Sequence, residues 1–297
     1  MTADKPTLYV ITGPTASGKS ALAIETALRL GTEVINADSR QVYRGIPIVT
    51  AMPTADERAA VRHHLLDFLP LTEYYSAARF EEDALRVAED LMGRYGAAVV
   101  CGGSMMYVDA LCHGIDELPT VPDAVRSGLM REHAELGDEW LLGELERLDP
   151  EYYAAVDRRN MKRVFHAVEI IRASGRTYTS QRTGTRKERE FRVEKIMIDM
   201  PRDVLFDRIN RRVDMMVEAG LEEEARRVYS QRHLNSLNTV GLKEMFAWFD
   251  GTMDRHTAIE RIKKNTRVYA KKQLTWWARD PEIKRITPRG PIGGRCE

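Results

Sequence analysis

The first apolar cluster in the chain is a short unbroken run, Leu8-Tyr9-Val10-Ile11, and helical spacing follows over Ala21–Leu30 until Gly31 stops it. An unbroken apolar run beside an amphipathic segment is the pattern of a strand buried on both faces and the helix that covers it. The pattern then recurs. Strands are predicted near Glu33–Ile35 and over His63–Phe68. Ser76 stands where it can cap a helix running to Met92, with Ala77, Phe80, Ala84, Val87, Ala88 and Leu91 on the apolar face. Gly93 and Gly96 precede a further strand at Ala97–Val100. Strands alternating with helices predict an α/β fold, a parallel sheet flanked by helices on both faces.

At Leu118-Pro119-Thr120-Val121-Pro122 the alternation breaks. From there to about Arg189 the spacing is helical, clearest at Trp140–Leu145 and at Val164–Ile171, the second ending at Gly175. Thr177–Glu190 is polar and is expected to be mobile. Strand character returns at Val193–Ile198, and Pro201 opens a long helix that Gly220 should close. The remainder, including Ala258–Ala278, reads as helix. The expected organisation is a core of residues 1–117 and 190–297, interrupted by an all-helical insertion at 118–189.

The 297 residues are 43% hydrophobic, ample for a buried core, and Lys+Arg and Asp+Glu are equal at 45 each. The neutral total hides two basic blocks. Ala155–Lys195 holds twelve Arg and Lys against five acids, and Arg255–Arg289 eleven against three. Such blocks suit a partner with a phosphate backbone, and each alone would also serve as a solvated helix face. Cys101, Cys112 and Cys296 lack paired spacing, which fits a reducing compartment. The seven histidines form no metal-ligand spacing, and no run approaches the roughly 20 apolar residues of a membrane span. A soluble, cytoplasmic monomer away from membranes is expected. Met105-Met106 and Met215-Met216 read as core packing, with the lining of an isoprenoid pocket as the alternative, and Trp276-Trp277 as packing of the C-terminal helix on the sheet.

The candidate chemistry begins directly after the first strand. Gly13-Pro14-Thr15-Ala16-Ser17-Gly18-Lys19-Ser20 fits the pattern of a phosphate-binding loop between a strand and a helix. Its glycines let successive N–H groups turn toward phosphate oxygens, and the following helix adds the positive end of its dipole. Lys19 would reach terminal phosphate oxygens and the Ser20 hydroxyl would ligate Mg²⁺. The loop specifies phosphate without specifying ATP. The Ala97–Val100 strand, where a nucleotidase would carry its metal-binding acid, runs instead into Cys101-Gly102-Gly103-Ser104. The acid is on a different strand end, Asp38 in Asn36-Ala37-Asp38-Ser39-Arg40-Gln41.

These residues resemble the tRNA dimethylallyltransferase family, also called tRNA isopentenyltransferases, in its bacterial form without a zinc-finger extension. The likeness rests on Gly13–Ser20, Asp38-Ser39 with Tyr43, His64-Leu65-Leu66-Asp67, Tyr75-Ser76-Ala77 and Gly102-Gly103-Ser104. It extends through Leu118-Pro119, Val125-Arg126, Val240-Gly241 and Lys272-Gln273-Leu274-Thr275-Trp276. The resemblance implies transfer of a dimethylallyl group from dimethylallyl diphosphate to the N6 amine of the adenosine just 3′ of a tRNA anticodon, with Mg²⁺ and release of diphosphate. In that chemistry Lys19 and the loop N–H groups stabilise the leaving group, and Asp38 is the candidate general base, with a water-mediated metal contact or a helix cap as its alternatives. The resemblance puts Thr15 at the reacting centre and Asp38, Ser39, Arg40 and Gln41 at the target base. Ser104, Arg126, Lys162, Arg163, His166, Gly241 and Lys243 fall where the family touches tRNA. His166 stands where the family has arginine, and Leu242 where it has tyrosine.

Two other classes remain open on the residues alone. A small-molecule kinase would use the same loop for ATP and the arginine-rich insertion as a lid. A non-catalytic RNA-binding module would keep the loop as a relic, against which the intact Lys19, Ser20 and Asp38 argue.

Overall fold

Six parallel strands in the order β3-β2-β4-β1-β5-β6 form the centre of the larger of two units. The structure, a computed structural model, describes residues 5–116, 118–184 and 186–287; Cys296 lies outside them. In chain order the first half of this unit runs β1 (Thr7–Thr12), α1 (Lys19–Leu30), β2 (Val34–Asn36), α2 (Ala55–Ala60), β3 (His63–His64), α3 (Ala77–Tyr95), β4 (Ala97–Cys101) and α4 (Met105–His113). The second unit follows: α5 (Asp123–Leu148), α6 (Pro150–Ala155), α7 (Met161–Ser174) and α8 (Tyr178–Gln181). The chain then returns to the first unit with β5 (Arg192–Ile198), α9 (Arg202–Glu218), α10 (Leu221–Val228), α11 (Leu242–Phe249), α12 (Arg255–Trp277) and β6 (Lys284–Ile286). The units divide at Met1–His113 with Glu188–Glu297, and Gly114–Lys187.

The unbroken apolar runs reflect burial on both faces of the sheet. Leu8, Val10, Ile35 and Val100 pack with Phe80, Ala84 and Leu91 of α3 on one side. Ile11, Val34 and Val99 pack with Ala23 and Ala27 of α1 on the other. Trp277, 1% exposed, closes α12 onto the first of these cores. Because every pairing is parallel, all strands end at one edge, and the turns after β1, β2 and β4 are brought together there.

Three elements differ from the sequence pattern. The strand expected over His63–Phe68 stops at His64, because Leu65 and Asp67 adopt φ of 55° and 53° and the Asn36 side chain donates to the Leu65 carbonyl. The helix from Pro201 ends at Glu218, and Gly220 (φ 98°) instead caps the start of α10. Exposed β6 carries no apolar signal; it pairs with β5 through its backbone, with a surface ion pair between Lys284 and Glu194 beside the ladder.

The second unit packs Leu129, Leu141 and Leu145 of α5 against Val164, Val168 and Ile171 of α7, with α5 broken at Gly137 (φ 84°). The segment expected to be mobile contains an ordered helix. Thr177 caps α8, Tyr178 is buried, and Asp149 accepts hydrogen bonds from the Thr179 N–H and hydroxyl at 2.7 and 2.9 Å. No helix among the described residues is long and apolar enough to cross a membrane.

Candidate active site

The turn between β1 and α1 curls through Gly13 (φ 146°), Ala16 (φ 64°) and Gly18 (φ 96°), and the Ser17 N–H closes it on the Pro14 carbonyl at 3.2 Å. Left-handed backbone at Gly18 caps α1, so the helix N-terminus at Lys19 and Ser20 opens into the cleft beside it. The Ser17 hydroxyl is buried without a hydrogen-bond partner. Thr15 is fixed from two distant points of the chain. Its N–H donates to Gln273 Oε1 at 3.0 Å, and its hydroxyl accepts from Arg212 at 3.3 Å. Gln273 in turn donates to the Gly103 carbonyl at 2.8 Å. Neither Gln273 nor Arg212 could be assigned to this loop from spacing, since both reach it from helices far along the chain.

Asp38 leaves the end of β2 in an Asx turn, its Oδ1 accepting the N–H groups of Arg40 and Gln41 at 2.8 and 3.3 Å. This fixes one carboxylate oxygen locally and aims the side chain at the cleft. The β4 turn presses against it: a Cβ on Gly102 would lie 2.2 Å from the Ala37 carbonyl oxygen, so only glycine fits. Ser104, 7% exposed, accepts the Ser39 N–H at 2.8 Å and donates to the Ser39 hydroxyl at 3.1 Å. Arg40 lines the cleft while donating to the carbonyls of Asn235 and Ser236.

Two clefts meet at Thr15, Asp38, Thr50, Ala51 and Arg212. One, about 490 Å³, contains Gly18, Lys19, Ser20 and Cys101 with Arg208 and Arg211 of α9 opposite. The other, about 320 Å³, combines apolar Ile209, Val213, Met216, Leu221 and Ile262 with polar Ser39, Arg40, Asn238, Lys243 and Tyr269. Gly241 also borders this second cleft (φ 99°), a Cβ there falling 2.4 Å from Val49 Cγ2. A phosphate-ready lobe therefore adjoins a half-apolar lobe, with one carboxylate and one guanidinium at the junction.

Burial lowers the Lys19 ammonium below its usual range; Cys101 opposes the shift, Arg212 adds to it and Asp38 opposes it. Burial likewise lowers the Arg212 guanidinium, against the pull of Asp38. The Cys101 thiol is pushed up to about 11 by burial, which leaves it neutral. The cradle thus concentrates poorly solvated positive charge where an anion would restore balance. Among the described residues no three His, Cys, Asp or Glu side chains are grouped to hold a metal.

In the second unit Lys162, Arg163 and His166 share the exposed face of α7. Arg126 forms a two-pronged pair with Glu169 at 2.9 and 3.0 Å, and His166 Nδ1 lies 2.8 Å from the same carboxylate. Burial alone would raise the Glu169 carboxyl; the hydrogen bonds from His166 and Arg126 bring it below the usual carboxylate range. Glu169 escapes sequence reasoning because a buried acid on an amphipathic helix shows no motif.

A family model described as IPP transferase matches residues 41–280. A tRNA dimethylallyltransferase of Parabacteroides distasonis is 50% identical over 281 residues, covering 95% of this chain and 94% of that protein. One from Bacteroides thetaiotaomicron is 50% identical over 283 residues, 95% of this chain and 92% of that one. The crystal structure of the tRNA isopentenylpyrophosphate transferase from Bacillus halodurans superposes with a TM-score of 0.69 at 37% identity, covering 95% of this chain and 90% of that one. A eukaryotic dimethylallyltransferase captured acting on tRNA superposes with a TM-score of 0.78 at 26% identity, covering 95% and 74%. With its parallel sheet, its phosphate loop and these matches across nearly its whole length, the chain belongs to the IPP transferase family of tRNA-prenylating enzymes.

Proposed function

We propose that the chain transfers a dimethylallyl group from dimethylallyl diphosphate to the N6 amine of the adenosine 3′-adjacent to a tRNA anticodon. The observation that carries this reading is the junction: Asp38 and Arg212 stand where the Lys19 lobe meets the half-apolar lobe. Diphosphate fits the first lobe, against Lys19 and the N–H groups of Gly13–Ser20. The acceptor adenine enters beside Ser39, Arg40 and Lys243, and the five-carbon group lies between them.

The bond changes follow from that placement. The N6 lone pair forms a bond to C1 of the dimethylallyl group as the C1–O bond breaks. The oxygen keeps the bonding pair and departs as diphosphate, its charge met by Lys19, Arg212 and the loop N–H groups. The proton leaving N6 goes to the Asp38 oxygen not fixed by the Asx turn. Adenine N6 is a weak nucleophile because its pair is shared with the ring, so proton removal as the bond forms is worth about 10²–10⁴-fold. A phosphate-bound Mg²⁺ fits the donors present, since that ion keeps waters and needs few protein ligands. Ser20 would hold it beside the diphosphate, where it supplies further neutralisation of the leaving charge.

Arg126, Lys162, Arg163 and His166 of the second unit are assigned to the tRNA backbone, and Ser104 to supporting Ser39 behind the target base. A monomer is taken as the working form, and a cytoplasmic location follows from the substrate class. The test is mass analysis of an anticodon stem-loop incubated with protein, Mg²⁺ and dimethylallyl diphosphate, beside an ATP-only control. A gain of one dimethylallyl group on the adenosine 3′ of the anticodon is expected. No gain, with ATP consumed in the control, would replace this reading with a kinase.

A further inference from the structure

The wall common to the two clefts is a short strap of turns, not a regular element. Thr50 and Ala51 line both lobes, and Val49 lines the half-apolar one. Ala51 has φ of 47°, a left-handed conformation that a non-glycine residue keeps only when its neighbours impose it. Three ties impose it here. Gln41 donates both its amide hydrogens, to the carbonyls of Thr50 at 2.9 Å and Ala51 at 3.1 Å. Gly241 lets Val49 approach closer than any Cβ would allow. The third tie comes from α10. Glu224, fully buried, accepts the Ile48 N–H on Oε2 at 2.9 Å and the Val49 N–H on Oε1 at 2.8 Å.

We propose that Glu224 is a positioning residue for prenyl transfer, holding the Ile48–Ala51 strap as the shared wall of the donor and acceptor clefts in concert with Gln41. A buried carboxylate is an expensive way to fill space, and leucine would pack α10 with less penalty. What the carboxylate supplies is two divergent acceptors for two adjacent N–H groups, a match no apolar side chain provides. The same geometry changes the role of Gln41. Its donors face the strap, so it shapes the site through Thr50 and Ala51 and leaves only its carbonyl oxygen to meet a base. The chemistry would thus depend on a residue that touches neither substrate. This inference rests on the clefts being the prenyl-transfer site.

The test is Glu224→Gln, which keeps volume but turns one acceptor into a donor facing an N–H. Hydrogen exchange at the Ile48 and Val49 amides should accelerate by about tenfold or more, as expected when a local restraint is lost. The KM values for dimethylallyl diphosphate and for the stem-loop should rise together, because one wall serves both. Adding Gln41→Ala should produce less than the product of the single effects. Glu224→Asp, which keeps the charge but cannot span both N–H groups, should show the same joint rise and serves if the glutamine variant does not fold. Folded variants with unchanged KM values, or with faster exchange and unchanged KM values, would overturn the proposal. If the wild-type protein itself transfers no prenyl group, the underlying reading fails and Glu224 is left with a structural role.

Discussion

The Thr15 N–H donates to Gln273 Oε1 at 3.0 Å across 258 positions of sequence, tying the phosphate loop to the last long helix. The other end of the same amide donates to the Gly103 carbonyl. A single side chain, 1% exposed, therefore sets the spacing between the turns after β1 and β4. Gln273→Leu would strand the Thr15 N–H, at about 1–3 kcal/mol for the group left unpaired, and leave the Gly103 carbonyl only the long hydrogen bond from Tyr269 at 3.5 Å. We expect a clear fall in melting temperature and a loss of about 10–100-fold in kcat/KM, measured by single-turnover prenylation. A variant with normal turnover would show that the loop holds its shape unaided.

Asp38→Asn separates the two tasks of that residue. Asparagine keeps a carbonyl oxygen for the Arg40 and Gln41 N–H groups, so the turn should survive. It cannot take the N6 proton. We expect kcat to fall by about 10²–10⁴-fold with RNA affinity nearly unchanged. Loss of affinity in step with rate would make Asp38 a binding residue.

How far this site could be read in the sequence depends on how local each part is. The phosphate loop and Asp38 follow directly on strand ends, so eight contiguous residues or one turn suffice to reveal them. Arg212 and Gln273 are single residues on helices whose approach to the loop is decided by packing, as is that of Glu224 to the Ile48–Ala51 strap, and nothing in their spacing reveals these contacts. The same distinction holds for the fold. Strands β1 and β4 are apolar because both faces are covered, whereas β6 is exposed and joins the sheet by backbone pairing and a surface ion pair. At His64 the pattern overran the strand, since the left-handed turn at Leu65 uses a residue that gives no warning of it.

The depressed Lys19 ammonium gives the reaction an alkaline limit. A lysine whose pKa is lowered loses its charge as pH rises through that lower value, ahead of the ordinary 10.5. Affinity of the free protein for inorganic diphosphate should therefore decline with rising pH before an ordinary lysine would titrate. Lys19→Arg stays protonated throughout and should flatten that limb even if it binds more weakly. Titration by calorimetry across alkaline pH would decide; a wild-type curve flat to beyond 10.5 would mean that the bound anion, not Lys19 alone, governs the site.

Arg126 and Glu169 make a different kind of claim, one about RNA engagement. Glu169 is buried and holds the half-exposed guanidinium in a planar, two-pronged grip, with His166 on the same carboxylate. The ion pair itself adds little stability, no more than about 1 kcal/mol, because Arg126 is 44% exposed and water screens it. Its value is orientation, since a preset guanidinium loses less freedom when it meets a phosphate or stacks on a base. Arg126→Ala should raise KM for the stem-loop by about tenfold with kcat little changed, and should reduce the slope of log affinity against log salt by about one. Glu169→Gln should reproduce part of the KM effect in the wild-type background and add nothing once Arg126 is gone. The sign of the pH effect follows from the lowered Glu169 carboxyl: the grip is complete above the unfolded value and is lost as pH falls through the folded one. KM for RNA should thus climb in acid for the wild type, while Glu169→Gln, already without the charge, stays flat. Equal effects of Glu169→Gln with and without Arg126 would show that the buried acid supports the α5–α7 packing and not the arginine.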